Sequence, residues 1–74
     1  MDISDCKVVI ASDVSARDGI GIEVYYNNIP ILEIFRDDSL KTRKITTYVS
    51  ETSLEFMEQC IEAFKYKIEW EFND

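Results

Sequence analysis

The chain has 74 residues, of which 46% are apolar, and its 15 acidic residues against 8 basic ones give a net charge of −7. This length suits one small domain with a thin core, and it excludes a deep cleft between two lobes. The negative charge repels nucleic-acid backbones and anionic lipids, so neither direct nucleic-acid binding nor membrane binding is expected. We therefore expect residues 1–74 to form a single domain.

The sequence lacks a long apolar run and lacks histidine, and these two absences indicate where the protein is located and how its cysteines behave. Residues 1–5 are acidic, and the longest apolar run, residues 8–11, is far shorter than the ~20 residues that cross a bilayer. A cytoplasmic location is therefore the expectation. Because there is no histidine, Cys6 and Cys60 do not complete a zinc set, and we interpret them as buried small hydrophobic residues rather than a disulfide.

Segments rich in β-branched and aromatic residues, separated by turn-forming residues, predict an antiparallel meander. The predicted strands are residues 7–12, 20–26, 30–36 and 42–49. Strands that follow one another through short turns pair with their neighbours in the sheet.

A turn over residues 27–29, which begins with two asparagines, fixes the register of the central strands. Asparagine accepts the left-handed backbone of a tight turn better than other residues that carry a Cβ. With this turn, Val24 faces Leu32 on the core side of the sheet, and Gly21 lies opposite Phe35 on the other side. The second core pair is Ile22 with Ile34.

One amphipathic helix follows the strands. Thr52 and Glu55 match a capping box, which predicts that the helix starts there. The predicted apolar stripe is Leu54, Met57, Ile61, Phe64 and Ile68, widened by Cys60 and Ala63. After Lys65 the apolar residues alternate, so the last residues either fray from the helix or run extended along the sheet. The predicted fold is α+β: a three- to four-stranded antiparallel meander with one C-terminal helix packed on one face.

Catalysis is not expected from this chain. Without histidine, a hydroxyl or thiol nucleophile lacks its usual general base. We interpret Asp37 and Asp38 as solvated residues of a turn, and Lys41, Arg43 and Lys44 as neighbours of nearby acids. The sequence therefore predicts no enzyme activity, no cofactor and no metal site.

Two surfaces are candidates for binding a partner. Glutamates at helical spacing form a row opposite the apolar stripe, where a surface selected only for stability would place lysine four residues after glutamate. This row is Glu51, Glu55, Glu58 and Glu62. On the sheet face that the helix leaves uncovered, aromatic and aliphatic side chains are expected to form a contact patch. This patch is Tyr25, Ile31, Phe35 and Tyr48. The alternative for the row of glutamates is a solvated surface without a partner. The alternative for the patch is that the C-terminal tail folds over it.

Three parts of the chain, residues 7–13, the hairpin within 23–38 and residues 68–72, resemble small bacterial families with a β-meander followed by a helix. This layout is similar to that of immunity proteins that neutralise polymorphic toxins. The resemblance implies a cytoplasmic domain that acts by occlusion, commonly of a basic nuclease, and it carries over no binding residue.

We therefore expect a non-enzymatic, acidic binding protein that blocks a basic protein, either a toxin or a nuclease. An immunity or antitoxin protein and an anti-CRISPR-like inhibitor of phage origin share these features. The glutamates would face the target, and the sheet face would mediate self-association. The alternative is a structural or assembly module that forms a homodimer through its exposed sheet face.

Overall fold

The computed structural model describes residues 1–73, which form a four-stranded antiparallel sheet with one helix against it. The strands are β1 (Lys7–Asp13), β2 (Gly19–Tyr26), β3 (Ile29–Asp37) and β4 (Thr42–Thr47), in the spatial order β1-β2-β3-β4. A short 3-10 helix (Ile3–Asp5) precedes β1, and the helix α1 (Leu54–Lys67) follows β4. The predicted α+β class and the meander are confirmed.

The register of the central strands is the predicted one, although the turn that produces it differs. Val24 lies opposite Leu32, as expected. Asn27 and Asn28 alone form the turn, with φ of 50° and 64°, because the tight turn that joins two twisted strands needs left-handed backbone at both positions. A β-bulge then adds one residue, Ile31, to β3, and this extra residue restores the register.

The core lies between one face of the sheet and α1. The buried residues of the helix are Phe56, Cys60 and Phe64, which recur every four residues and pack against the central strands. Leu54, which the predicted stripe included, is 70% exposed because it lies about 120° around the helix from the centre of this row. Ser53, rather than Thr52, caps the helix, since its hydroxyl accepts a hydrogen bond from the Phe56 N–H at 3.1 Å.

The N-terminal segment is tied to the middle of α1. The Ile3 N–H donates to Oε1 of Gln59 at 2.9 Å, and Nε2 of Gln59 donates to Asp2 at 2.8 Å. Hydrogen bonds from Ser4 and Gln59 lower the pKa of Asp2 to about 2. The position of α1 is therefore held by its contacts with the N-terminal segment as well as by its packing against the sheet.

Both cysteines are free thiols, in agreement with the prediction that they form no disulfide. Cys60 is buried in the core, and Cys6 is half-buried against it. Burial raises the pKa of Cys60 to about 11, so this thiol stays protonated at neutral pH.

Residues 69–73 follow an irregular path across the end of β3 and β4, where two arginines hold their main chain. Nη1 of Arg36 donates to the Glu69 carbonyl at 2.7 Å, and Nη2 of Arg43 donates to the Trp70 carbonyl at 2.7 Å. This tail is thus neither a frayed helix nor a strand.

We expect the substitution Gly21→Ala to destabilise the fold by about 1–3 kcal/mol, because the new methyl group has no free space. A Cβ at Gly21 would collide with the Ile34 carbonyl and lie 2.8 Å from the Cα of Phe35. Urea unfolding measures this loss. Ser12→Ala, at an exposed position of β1, is the control and should change stability by less than about 0.5 kcal/mol. Equal stability of Gly21→Ala and the unchanged chain would contradict the packing described here.

Candidate functional site

The outer face of α1 carries the exposed residues Glu55, Glu58 and Glu62. Spacings of three and four place them within an arc of about 60° and along about 10 Å of the helix. None of them takes part in an ion pair within the described part of the chain. Glu51 is also exposed, but it precedes the helix cap at Ser53, so its predicted membership of the row is wrong. We call Glu55, Glu58 and Glu62 the glutamate row.

Local electrostatics explain only part of the glutamate row. Glu55 lies in the first turn of α1, where the partial positive charge of the helix end stabilises a carboxylate. Glu58 and Glu62 lie beyond that turn and are four residues apart, so they repel each other by a few tenths of a kcal/mol. The compensating Lys65 and Lys67 are confined to the last turn. The row is therefore a concentrated negative surface on a rigid element.

The predicted apolar patch on the outer sheet face is not exposed as a whole. Phe35 is 3% exposed, and the bulge in β3 brings Ile31 into the core cluster. Tyr25 is half-buried, and its hydroxyl donates to Glu23 at 3.1 Å. Tyr48 is exposed. The structure thus divides the four patch residues between the core, the sheet surface and solvent.

Arg17, from the loop between β1 and β2, covers the outer sheet face. Its guanidinium lies 3.8 Å from the centre of the Phe35 ring. Nη1 and Nη2 each donate to one carboxylate oxygen of the buried Glu33 at 2.9 Å, and Nε approaches Asp13 at 3.4 Å. A bidentate pair and a cation–π contact together neutralise Glu33 and shield the ring from water. The tail, which was the predicted alternative cover, lies elsewhere.

The predicted solvated turn at Asp37 and Asp38 is wrong, because both residues are buried. Nε of Arg36 donates to Asp38 at 2.8 Å, and the Asn73 N–H donates to the same carboxylate at 3.1 Å. The Arg36 guanidinium holds the pKa of Asp38 below its usual value. Asp37 accepts a hydrogen bond from the Leu40 N–H at 3.0 Å. Both carboxylates therefore hold the chain in place.

The basic residues of β4 and its preceding turn were predicted to neighbour these acids, and this is so for Lys41, whose charge contributes to lowering the pKa of Asp38. Arg43 instead lies 3.9 Å from the centre of the Trp70 ring and 4.1 Å from that of Phe72. Lys41 donates to a tail carbonyl, that of residue 73, at 3.4 Å. Lys44 is exposed and makes no ion pair with another described residue. No signal in the sequence indicated these different partners, because the three basic residues are close together along the chain.

A cleft of about 170 Å³ lies between α1, β4 and the tail. Its lining is Ile34, Arg43, Ile45, Ile61, Phe64 and Trp70. Because all of these except Arg43 are apolar, we call it the apolar cleft. No group of three metal-binding side chains is present among residues 1–73. Over the same residues, no helix combines the length and apolar character needed to cross a membrane.

In comparisons with known proteins, no protein family, no curated protein and no solved structure matches this chain. The layout on which the resemblance to immunity proteins rests, a meander followed by a helix, is present in the structure. It identifies no family and no relative.

Replacement of Arg17 by alanine should destabilise the fold by about 1–3 kcal/mol, because it leaves the carboxylate of Glu33 buried without a partner. Adding Glu33→Gln to this variant should restore part of the loss. Urea unfolding of the two single variants and the double variant gives the coupling energy between the two side chains. Strictly additive losses would show that the pair does not stabilise the fold.

The lowered pKa of Asp38 predicts how the stability depends on pH. Its ionised form stabilises the folded chain at neutral pH, and this contribution is lost as the pH falls and the carboxylate binds a proton. The Asp38→Asn variant lacks the contribution at every pH. Its deficit in unfolding free energy should therefore be larger at about pH 6 than at about pH 3, as measured by urea unfolding at both values. A deficit that does not change with pH would refute this assignment.

Proposed function

We propose that this protein is a non-enzymatic, acidic binding protein whose glutamate row occludes a basic surface of another protein. One observation supports this most directly. Two of the three described buried acids have arginine partners, Arg17 for Glu33 and Arg36 for Asp38, and the third accepts a backbone hydrogen bond. The glutamate row, in contrast, has no ion-pair partner among the described residues. The chain thus contains an acidic surface that its own fold does not use.

The physics of association favours such a surface as a docking site. A net charge of −7 attracts a basic protein over a distance of about a Debye length and speeds the encounter. Because α1 is fixed by the sheet and by the Gln59 contacts, the backbone that carries these carboxylates is ordered before binding, and docking has to order only the glutamate side chains. Regularly spaced carboxylates also imitate the charge of a nucleic-acid backbone, which suits a basic nuclease as the target.

The proposed partner is therefore a basic toxin or nuclease, and the proposed class is an immunity or antitoxin-type inhibitor acting in the cytoplasm. An anti-CRISPR-like inhibitor of phage origin would use the same chemistry. The class rests on the resemblance in layout, and the partner's charge rests on the glutamate row. Asp37 and Asp38, the acids that a hydrolase would need, are engaged in structural contacts, which supports a function without catalysis.

The assembly-module alternative has less support. It needs an apolar sheet face that a second copy could cover. Phe35 lies beneath Arg17, and Ile31 belongs to the core, so this face offers little apolar area for a dimer.

The triple variant Glu55→Gln, Glu58→Gln and Glu62→Gln tests the proposal. The tagged chain is expressed in its own host, and a basic protein that co-purifies with it is identified and quantified by mass spectrometry. We expect the triple variant to fold normally and to bind that protein about tenfold more weakly or worse, with an affinity of the unchanged chain that falls as salt rises.

A second triple variant, Asp5→Asn, Glu69→Gln and Glu71→Gln, is the matched control. All three positions are exposed, and both triple variants raise the net charge of −7 by the same three units. The control should retain binding. Equal losses in both variants would mean that only net charge matters, and unchanged binding in both would exclude the glutamate row as the contact.

A further inference from the structure

The strand β4 is the last in the sheet, so one of its edges has no neighbouring strand among the described residues. Antiparallel pairing uses the backbone groups of every second residue. The Tyr48 N–H donates to the Ile31 carbonyl of β3 at 2.9 Å. The alternation then points the N–H and C=O groups of Arg43, Ile45 and Thr47 away from the sheet. These groups are a template for a further strand.

The apolar cleft lies beside this edge. Ile45 is 42% exposed and Trp70 is 48% exposed, although both contribute to the side of the sheet that α1 covers. A residue on a strand added next to β4 would place its side chain about 5 Å from that of Ile45. The cleft can therefore receive one apolar side chain from such a strand.

The other face of β4 presents a positive charge. The side chain of Lys44 alternates with that of Ile45 and therefore lies on the outer face, where the neighbouring β3 acid, Glu33, is already neutralised by Arg17. Two copies of β4 placed edge to edge would bring their lysines together, which disfavours a second copy of this chain. A strand that carries carboxylates would instead be attracted.

We propose that the β4 edge binds an extended segment of another protein as a fifth strand. The backbone of this segment pairs with Arg43, Ile45 and Thr47. One of its apolar side chains enters the apolar cleft, and a carboxylate on its other face lies beside Lys44. Main-chain pairing supplies affinity in this mode of recognition, and the alternating side chains supply specificity. No residue of the glutamate row lines the apolar cleft, and the site prefers the opposite charge, so the two surfaces serve different ligands.

A capped synthetic peptide of about seven residues, in which leucine and glutamate alternate, is the probe. Trp70 is the single tryptophan of the chain, so its fluorescence reports occupation of the cleft. We expect a blue shift on binding and an at least tenfold slower hydrogen exchange of the Arg43, Ile45 and Thr47 amides. At physiological ionic strength, where a Debye length of about 8 Å screens the more distant acids of the chain, a peptide with lysine in place of the glutamate beside Lys44 should bind about threefold more weakly.

Two variants identify the edge. Lys44→Glu should reverse the preference, so that the lysine peptide becomes the better ligand. Thr47→Pro removes one outward N–H and should abolish binding of both peptides, while the variant that lacks the glutamate row should bind the probe normally. If Thr47→Pro fails to fold, the relative affinity of the Lys44→Glu variant for the two peptides still tests the proposal.

Three results would overturn the proposal. The first is the absence of amide protection at millimolar probe, and the second is equal affinity for the two peptides. The third is a dimer of the unchanged chain, detected by light scattering, that Thr47→Pro dissociates, since this would assign the edge to a second copy.

Discussion

The packing of one helix row against the two central strands is the contact on which the rest of the structure depends. Phe56, Cys60 and Phe64 lie one above another on α1 and meet Val24 and Leu32 of the sheet. In a chain this short, no second cluster could replace this contact. This contact also determines the orientation of α1 about its own axis. With these residues facing the sheet, the glutamates of α1 face solvent.

The arginine residues determine which acidic side chains are paired within the fold and which remain available to contact another molecule. Arg17 and Arg36 each hold a buried carboxylate in a two-pronged pair, and each also anchors an irregular segment to the sheet. A planar guanidinium with several donors can do both at once, whereas a lysine cannot. The excess negative charge is thereby left on solvent-facing acids. Stability and surface charge are thus separated within one small fold.

The predictable parts of this structure are the local ones. The strands, their register and the existence of the helix follow from alternation and spacing within short windows, and the structure confirms them. The helix face was largely predicted, since six of the seven stripe residues lie in the core or against it. The stripe wrongly included Leu54 and omitted Phe56, although the four-residue repeat of Phe56, Cys60 and Phe64 was a better signal. The contact between Arg17 and Phe35 could not be predicted from any periodic pattern in the sequence, because it depends on the position that the loop between β1 and β2 adopts in the folded chain.

The hold on the C-terminal tail has a consequence for how freely this part of the molecule can vary. Arg36 and Arg43 grip carbonyl oxygens, which every amino acid supplies, so the path of the tail is specified without reference to most of its side chains. Apart from Trp70 and Phe72, whose rings lie against Arg43, the segment can therefore accumulate substitutions and still follow the same course. Mutational drift would be tolerated at the other tail positions and resisted in the two arginines that hold them.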